Sequence, residues 1–556
     1  MNNGQVPCSR CRKRGLPCTV NRSLQMLLED DAGWKGVMSH KVRWLEHSMS
    51  QVLSRLDPPA ITTSFSVDPA AIPPPGGERL PPSTAWEVVM NPQSGPAAIP
   101  AACVSEVAGT TPSARLPSIN RMDLISRGVV SHPEAMSLFE LYSSRLDHFL
   151  YRILGDHNSL ESVRDASPIL TAAICAVAAL HSLSLGNRFD ACYQEYKELI
   201  ALHMLSTKVN ADDVRGLCIG AFWLPEISWS AIATAVRMAS DIKLHCGIYP
   251  ALRGDRRGYL QARLYYLLYV CDHHFSIAYG RLPMSREGSI IGLADRFLRS
   301  DHATENDARL ISQVKMWSVM GEVLDTFGGD LDSALPPPAL PQLRRYSIAL
   351  ETWCADWSEA FRQNENVGNY PQKGVGFHFH FAKLYLCSHA FRGVPAASGL
   401  DPELEEIANA GVLSAMAILR MLVADGEFQS FLNGLPLYFD TMIAFAVIFL
   451  LKVASKHASA IGIDTAQILS LVSHTVTVLR QVTRSMHQQH LLVNIARGLQ
   501  TILDRRQEPG SRDEPPGPLS PSVDGARLRV ETGCMEGMAS FDFLTTTLDL
   551  DEWLLH

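Results

Sequence analysis

Apolar residues recur at helical spacing over most of the chain, from about Ser118 to Arg505. Short breaks at glycine or proline separate these stretches, and no segment shows the sustained alternation that is typical of a strand. The pattern therefore predicts an all-α protein with one large all-helical body at residues 118–505. Its clearest stripes, each after a proline, are Leu138, Leu141, Tyr142, Leu146 and Phe149, and Ile169, Ala172, Ala173, Ala176, Val177 and Leu180.

A second pattern, with the spacing of a coiled coil, occupies residues 38–56. Its apolar positions step by 4, 3, 4, 3 and 4 residues, and Asp57-Pro58-Pro59 ends it. In this register Lys41 and Glu46 fall at positions g and e, where a parallel dimer brings opposite charges together. We expect a dimerisation helix, although so short a seam also fits an amphipathic helix packed on its own protein. The seam residues are Met38, Val42, Leu45, Met49, Val52 and Leu56.

Between these two parts, residues 57–117 hold 13 of the 33 prolines, with much Ala, Ser and Thr and few charges. Such a composition cannot build a packed core, because it offers too little apolar surface to offset the entropy of ordering the chain. We therefore predict a disordered linker here.

The last segment, residues 506–556, opens with another stretch rich in Pro, Gly, Ser and Asp, and it is predicted to be a disordered tail. Near its end, apolar residues interleave with Asp542, Asp549, Asp551 and Glu552. This alternation is typical of a segment that activates transcription by contacting the transcription machinery. A C-terminal helix docked on the body remains an alternative. The apolar residues of the predicted activation segment are Phe541, Phe543, Leu544, Leu548, Leu550, Trp553 and Leu554.

The charge and the cysteine content further restrict the kind of protein and the cell compartment that fit this sequence. The net charge is -8, so any affinity for nucleic acid must be local. The twelve cysteines are mostly dispersed and no secretory segment opens the chain, which favours a reducing intracellular compartment. The ten apolar residues Met442 to Leu451 are too few to cross a membrane, which takes roughly twenty, so we expect a buried helix and no membrane partner.

Candidate chemistry is concentrated at the N-terminus, where Cys8, Cys11 and Cys18 are spaced as thiolate ligands of zinc. Three thiolates alone do not complete a tetrahedral site. A cysteine group without metal in a basic tail is the simpler alternative. The first 22 residues carry no acidic side chain, and four cations beside the cysteines would contact DNA phosphates or serve in nuclear import. These cations are Arg10, Arg12, Lys13 and Arg14.

The filling between these cysteines resembles the fungal binuclear zinc cluster family, in which two three-cysteine halves jointly bind two zinc ions. Arg12-Lys13-Arg14-Gly15-Leu16-Pro17-Cys18-Thr19 is similar to the second half, which implies that residues 1–22 are the second half of a DNA-binding module. Seven residues precede Cys8, too few for the first half and its groove-reading helix. Either the chain starts earlier than Met1, which we prefer, or the protein lacks its own reading half; two zinc ions are expected only in the first case.

The resemblance extends into the helical body, which is similar to the regulatory middle domain of the same family. The most specific lines are Ser131-His132-Pro133-Glu134-Ala135, and Ser167-Pro168 followed by the alanine-rich stretch. Trp229 to His245 resembles the central helix, with Lys243 where a glycine would be commoner. Tyr279-Gly280-Arg281-Leu282-Pro283 resembles the break after a long aromatic helix. The resemblance implies a body that regulates activation, sometimes by sensing a small-molecule effector.

An enzyme is the least favoured class. His273-His274 near Cys271 suggest metal ligands, as do His378 and His380 near Cys387 and His389, but neighbours two apart on a helix face nearly opposite ways. We interpret these as core or surface histidines, and no catalytic motif is found.

The sequence thus predicts a nuclear, dimeric transcription factor that binds double-stranded DNA. The alternative is a regulator without its own reader that forms a heterodimer with an intact zinc-cluster protein.

Overall fold

The computed structural model describes residues 123–328, 333–336, 338–394, 399–458 and 461–507. Within them the chain forms helices and turns, with no strand and one isolated bridge between Asn364 and Gly368. The all-α prediction is confirmed for this part of the chain. Its main helices are α1 His132–Leu141, α2 Leu160–Ala166, α3 Pro168–His181, α4 Phe189–His203, α5 Ala211–Trp223, α6 Ser228–Asp241, α7 Arg256–Ala278, α8 Glu305–Phe327, α9 Ala339–Trp357, α10 Tyr370–Ser388, α11 Pro402–Ala424, α12 Gly426–Phe431, α13 Leu437–Lys452, α14 Thr465–Val482 and α15 Leu491–Gln507.

Shorter helical turns connect several of these helices. A π-helical turn, Tyr142–Leu146, continues α1 into Asp147–Phe149, and a second, Val453–His457, continues α13. The remaining turns are Gly186–Arg188, Leu244–Gly247, Ile248–Ala251, Ser289–Gly292, Ala294–Phe297, His389–Phe391 and Thr483–Ser485.

Both helix starts that the sequence placed beside prolines carry side-chain caps. At α1, the Ser131 backbone N–H donates to Glu134 Oε2 at 2.9 Å and the Glu134 N–H donates to Ser131 Oγ at 3.4 Å, which is a capping box. At α3, Ser167 Oγ accepts from the Leu170 N–H at 3.1 Å and donates to Asp213 Oδ1 at 2.6 Å. The second contact also ties the start of α3 to α5.

Helix α3 lies in the core, and every residue from Ile169 to His181 is buried. It packs against α4 and α5, and α5 packs against α6. Glycines permit this close contact: a Cβ on Gly216 of α5 would lie 2.8 Å from Leu170 Cα, and one on Gly220 would collide with the Tyr196 ring. The predicted stripe on α3 is confirmed, but the helix buries all of its faces.

The apolar run Met442–Leu451 lies within α13, and all ten of its residues are buried. Two helical stretches among the described residues, Pro402–Ala424 and Leu437–His457, are long and apolar enough to cross a membrane by length and composition. In the second, 89% of the most apolar window is covered by the rest of the protein. The expectation of a buried core helix at Met442–Leu451 is therefore confirmed.

Candidate functional site

The site residues predicted from the sequence lie outside the described residues. They are the cysteines Cys8, Cys11 and Cys18, the cations Arg10, Arg12, Lys13 and Arg14, the seam at residues 38–56, and the activation segment at 541–554. The predicted linker at 57–117 lies outside as well. All of these remain predictions.

The histidines considered as metal ligands are placed by the structure. His273, His274, His378 and His389 are buried in the helical core and His380 is half-buried, which agrees with their interpretation as core or surface histidines. Among the described residues, no group of three or more His, Cys, Asp or Glu side chains could hold a metal ion. Burial, the leading cause, lowers the pKa of His378 to about 4 and that of His389 to about 3, so both rings stay neutral at pH 7.

The candidate site in the described part of the chain is a pocket of about 330 Å³ beside the middle of α7. Its volume falls within the range of small-molecule sites. We call it the effector pocket. It is lined by Val236 and Ser240 of α6, His245 and Tyr249 of the turns that follow, Tyr265 and Leu268 of α7, and Met284, Ser285, Arg286, Gly288, Ser289 and Ile290 of the loop after α7.

One face of α7 holds this loop in place. The backbone N–H and the hydroxyl of Ser285 both donate to Asp272 Oδ2, each at 2.6 Å. The Tyr269 hydroxyl donates to Glu287 Oε1 at 2.5 Å, and the Tyr266 hydroxyl donates to the Ile290 carbonyl at 2.8 Å. Since these α7 residues are three apart, they share one side of the helix and hold the loop as a fixed wall of the pocket.

A second contact joins the opposite wall to the same loop. The hydroxyls of Tyr249 and Ser289 lie 2.9 Å apart, and the His245 and Tyr265 rings lie 6.0 Å apart. Burial, followed by the nearby charge of Asp272, raises the pKa of Tyr265. The Tyr265 hydroxyl therefore stays protonated at neutral pH and can donate a hydrogen bond to a ligand.

The charge of the lining is one-sided. Arg286 and His245 line the effector pocket, but no Asp or Glu does. Arg286 is exposed and forms no ion pair or side-chain hydrogen bond with another described residue. Two carboxylates that contact this loop or belong to it, Asp272 and Glu287, are bound to Ser285 and Tyr269. The pocket is suited to a molecule with an apolar body and a polar or anionic end.

The sequence analysis did not predict this pocket, although it did predict the chain break at which the pocket-lining loop begins. The predicted break after the long aromatic helix is confirmed: α7 ends at Ala278 and Gly280 has φ +60°. The signal that could have led to the pocket is the loop that follows, where Ser285 and Glu287, two residues apart, face hydrogen-bonding residues of α7.

The described residues form an all-helical body that carries a ligand-sized pocket, which is consistent with a regulatory domain. Comparison with known proteins gives the family. Residues 128–502 match a family model described as the middle domain of the transcriptional activator of proteases prtT, and the chain belongs to this family of fungal transcription regulators.

Two relatives show how far the similarity extends. The transcriptional activator of proteases prtT from Emericella nidulans is 32% identical over 542 residues, which cover 90% of this chain and 82% of that protein. Protein priB from Lentinula edodes is 24% identical over 312 residues, covering 54% of this chain and 50% of that protein.

Proposed function

We propose that this protein is a nuclear activator of protease genes that binds duplex DNA as a dimer through a zinc-held basic module. The observation that carries the proposal is the extent of the similarity to the prtT activator. This similarity covers 90% of the chain, whereas the middle domain spans only residues 128–502. The similarity therefore continues into the flanking segments.

In this proposal each flanking segment has a role. Cys8, Cys11 and Cys18 bind zinc, and the neighbouring arginines and lysine contact phosphates. The seam at residues 38–56 pairs two chains, so that two modules contact two half-sites. The acidic and aromatic segment at residues 541–554 contacts the transcription machinery.

DNA binding is tested with the full-length protein in a selection from random duplexes. Chelation of zinc or Cys11→Ser should abolish binding, because both remove a thiolate–metal bond that shapes the module. Cys246→Ser is the matched control, since Cys246 is an exposed cysteine of the helical body, and binding should persist. Failure of the full-length protein to enrich any duplex in a zinc-dependent way would refute direct DNA reading. Enrichment only after addition of an intact zinc-cluster protein would favour the heterodimer.

Dimerisation is tested by light scattering on the full-length protein. Leu45→Pro breaks a helix at the centre of the seam and should yield monomers. Thr63→Pro, in the predicted linker, should leave the dimer intact. If both variants have the mass of the parent dimer, the seam is not the dimer interface.

The target genes are tested in the source organism. Deletion of the gene should lower the transcripts of secreted proteases, and the intact gene should restore them. A triple alanine variant of Phe543, Leu544 and Trp553 should bind DNA normally but fail to restore the transcripts. Unchanged protease transcripts after deletion would refute the protease target.

We infer that the effector pocket binds a small molecule with an apolar body and an acidic group. The aromatic and aliphatic lining, Arg286 without a partner among the described residues and the absence of a lining carboxylate support this. The probe is 8-anilinonaphthalene-1-sulfonate, which has both features. Ser240→Trp should fill the pocket and weaken binding at least tenfold, and Arg286→Ala should weaken it several-fold.

Ser230→Trp is the matched control for this experiment. Ser230 is exposed on the same helix, α6, but it does not line the pocket. Equal probe binding by the parent, Ser240→Trp and Ser230→Trp proteins would exclude the effector pocket as the binding site.

A further inference from the structure

A second concave site lies close to the effector pocket, and its lining carries more positive charge. It has a volume of about 430 Å³ and lies between two loops, residues 251–254 and residues 296–301. We call it the arginine pocket, because Arg253 comes from the first loop and Arg296 and Arg299 from the second.

The two loops are fixed to one another. His302 Nε2 lies 3.1 Å from the Gly254 carbonyl oxygen and donates to it, and Gly254 adopts φ +86°, which a residue with a side chain rarely does. The Tyr259 ring stacks on Phe297 with centroids 5.1 Å apart, and it also contacts the His302 ring at 5.4 Å. The arrangement of the arginines therefore belongs to the fold.

The positive charge of this pocket is not compensated by the described part of the protein. Arg253, Arg296 and Arg299 are exposed, and none forms an ion pair or side-chain hydrogen bond with another described residue. Asp301 is the one acidic residue in the lining. Asp295, next to Arg296, is bound instead to Lys315 at 2.5 Å.

One neighbouring cation outside the pocket does have a partner. Arg256, three residues after Arg253, pairs with Asp156 at 2.5 Å. Three arginines and one aspartate give the pocket a net charge of +2, and like charges gathered around a concave site favour an anion within it.

We propose that the arginine pocket binds a small molecule that carries a phosphate monoester. Such a group has a charge near -2 at neutral pH, which matches the net charge of the lining. Its three oxygens accept hydrogen bonds from several directions, and guanidinium groups recognise phosphate through paired N–H donors. This assignment does not depend on DNA binding or on the effector pocket.

A nucleic-acid backbone fits the site less well. An extended duplex needs a continuous basic surface, whereas here the arginines alternate in sequence with Asp255, Asp295 and Asp301. The site is also a pocket of about 430 Å³ between two loops, and not an extended groove, which favours a compact ligand.

The test is calorimetric titration of the full-length protein with inorganic phosphate, ribose 5-phosphate and adenosine 5′-monophosphate. The two esters separate a sugar phosphate from a nucleotide as the source of the phosphate group. We expect one site per chain, with a dissociation constant below about 1 mM for at least one ester. Arg296→Ala and Arg299→Ala should each weaken binding of that ester at least fivefold, and Asp301→Asn should strengthen it two- to fivefold.

Arg257→Ala is the matched control, because Arg257 is exposed next to Arg256 but does not line the pocket, and affinity should be unchanged. The proposal is overturned if no ester binds, if Arg257→Ala weakens binding as much as Arg296→Ala, or if a 30-base-pair duplex binds in an Arg296-dependent manner while the esters do not.

Discussion

Gly247 and Gly258 bring two backbone segments into direct contact at the start of α7. A Cβ on Gly258 would lie 2.8 Å from the Gly247 carbonyl oxygen, and a Cβ on Gly247 would lie 2.9 Å from the Gly258 carbonyl oxygen. The pair thus seats the turns at residues 244–251 on α7. Because these turns contribute Tyr249 to the effector pocket and Ala251 to the arginine pocket, both sites depend on this contact.

Replacement of Gly258 by alanine should therefore destabilise the protein. The added methyl would also lie 2.6 Å from Pro250 Cγ and 2.8 Å from the Ala251 nitrogen, where backbone cannot easily yield. We expect a loss of about 1–3 kcal/mol in the free energy of unfolding, measured by chemical denaturation.

Gly376→Ala is the control for this substitution. Gly376 lies within α10, and the nearest atom to an added Cβ is the flexible Met421 Cε at 3.9 Å. Its unfolding free energy should stay equal or rise by up to about 1 kcal/mol, because alanine favours a helix over glycine. A Gly258→Ala protein as stable as the parent would show that the two segments can separate without cost.

Lys243 occupies a position where the resemblance to the family leads us to expect glycine. A glycine would be commoner there, and the structure places Lys243 at φ +53° and ψ +42°, in the left-handed region. A residue with a side chain costs about 1–2 kcal/mol in this conformation, whereas glycine costs about 0.5–1 kcal/mol in chain entropy. Lys243→Gly should therefore raise the unfolding free energy by up to about 1 kcal/mol, and Lys243→Ala should leave it unchanged. A lower melting temperature for Lys243→Gly would contradict this account.

Local signals explain what the sequence predicted correctly. Helical periodicity, the helix starts at Pro133 and Pro168, and the glycine break at Gly280 each depend on a few neighbouring residues, and all three recur in the structure. The run Met442–Leu451 is uninterrupted and apolar, so its burial also follows from the sequence alone.

The two pockets could not be predicted in this way, because distant residues form them. Tyr249 contacts Ser289, and Arg253 lines the same pocket as Arg299, only because the chain after α7 returns to the turns that precede α7. Helix α7 gives little guidance, since it is buried on nearly all sides and includes the buried polar residue Asp272. Periodicity cannot show which face of such a helix supports a site.

A buried ion pair between α7 and α8 is the basis of the next prediction. Arg263 Nε donates to Asp307 Oδ1 at 2.5 Å, and both side chains are almost fully buried. The Tyr259 and Thr304 hydroxyls donate to Asp307 Oδ2 at 2.6 Å each. Burial alone would raise the pKa of Asp307, but the charge of Arg263 and these hydrogen bonds outweigh it and lower the pKa below its ordinary value.

Asp307→Asn should cost about 3–5 kcal/mol in the free energy of unfolding at pH 7, because it leaves the Arg263 charge buried without a counter-charge. The matched control is Asp241→Asn, which removes the exposed pair between Asp241 and Arg237 and should cost less than about 1 kcal/mol. Since the pKa of Asp307 is lowered by folding, its contribution is complete above its unfolded pKa and is lost as pH falls through the folded one. Similar losses for the two variants in urea denaturation would contradict a special role for the buried pair.

Buried histidines make the helical core sensitive to mild acid. The His181 and His490 rings lie 5.4 Å apart in the core, and burial is the leading cause that lowers their pKa values to about 4 and about 3. Beside them, burial raises the pKa of Asp440, whose Oδ2 is 3.9 Å from His490 Nδ1. A raised pKa favours the neutral carboxyl, which stabilises a proton on the imidazole less than a carboxylate would.

The sign of the pH dependence follows from these shifts. Each histidine binds a proton more readily in the unfolded chain, so its neutral form stabilises the fold above pH 6.5, and this stability is lost as pH falls below that value. His181→Leu should therefore reduce the slope of unfolding free energy against pH by about 0.7 kcal/mol per pH unit at pH 6.5, and by up to about 1.4 kcal/mol per pH unit near pH 5. His474→Leu, at an exposed position of α14, is the control for the substitution itself, and a change of slope that both variants share would not be assigned to the burial of His181. Equal slopes for the parent and His181→Leu, measured by denaturant titrations at several pH values, would show that His181 takes up its proton without unfolding.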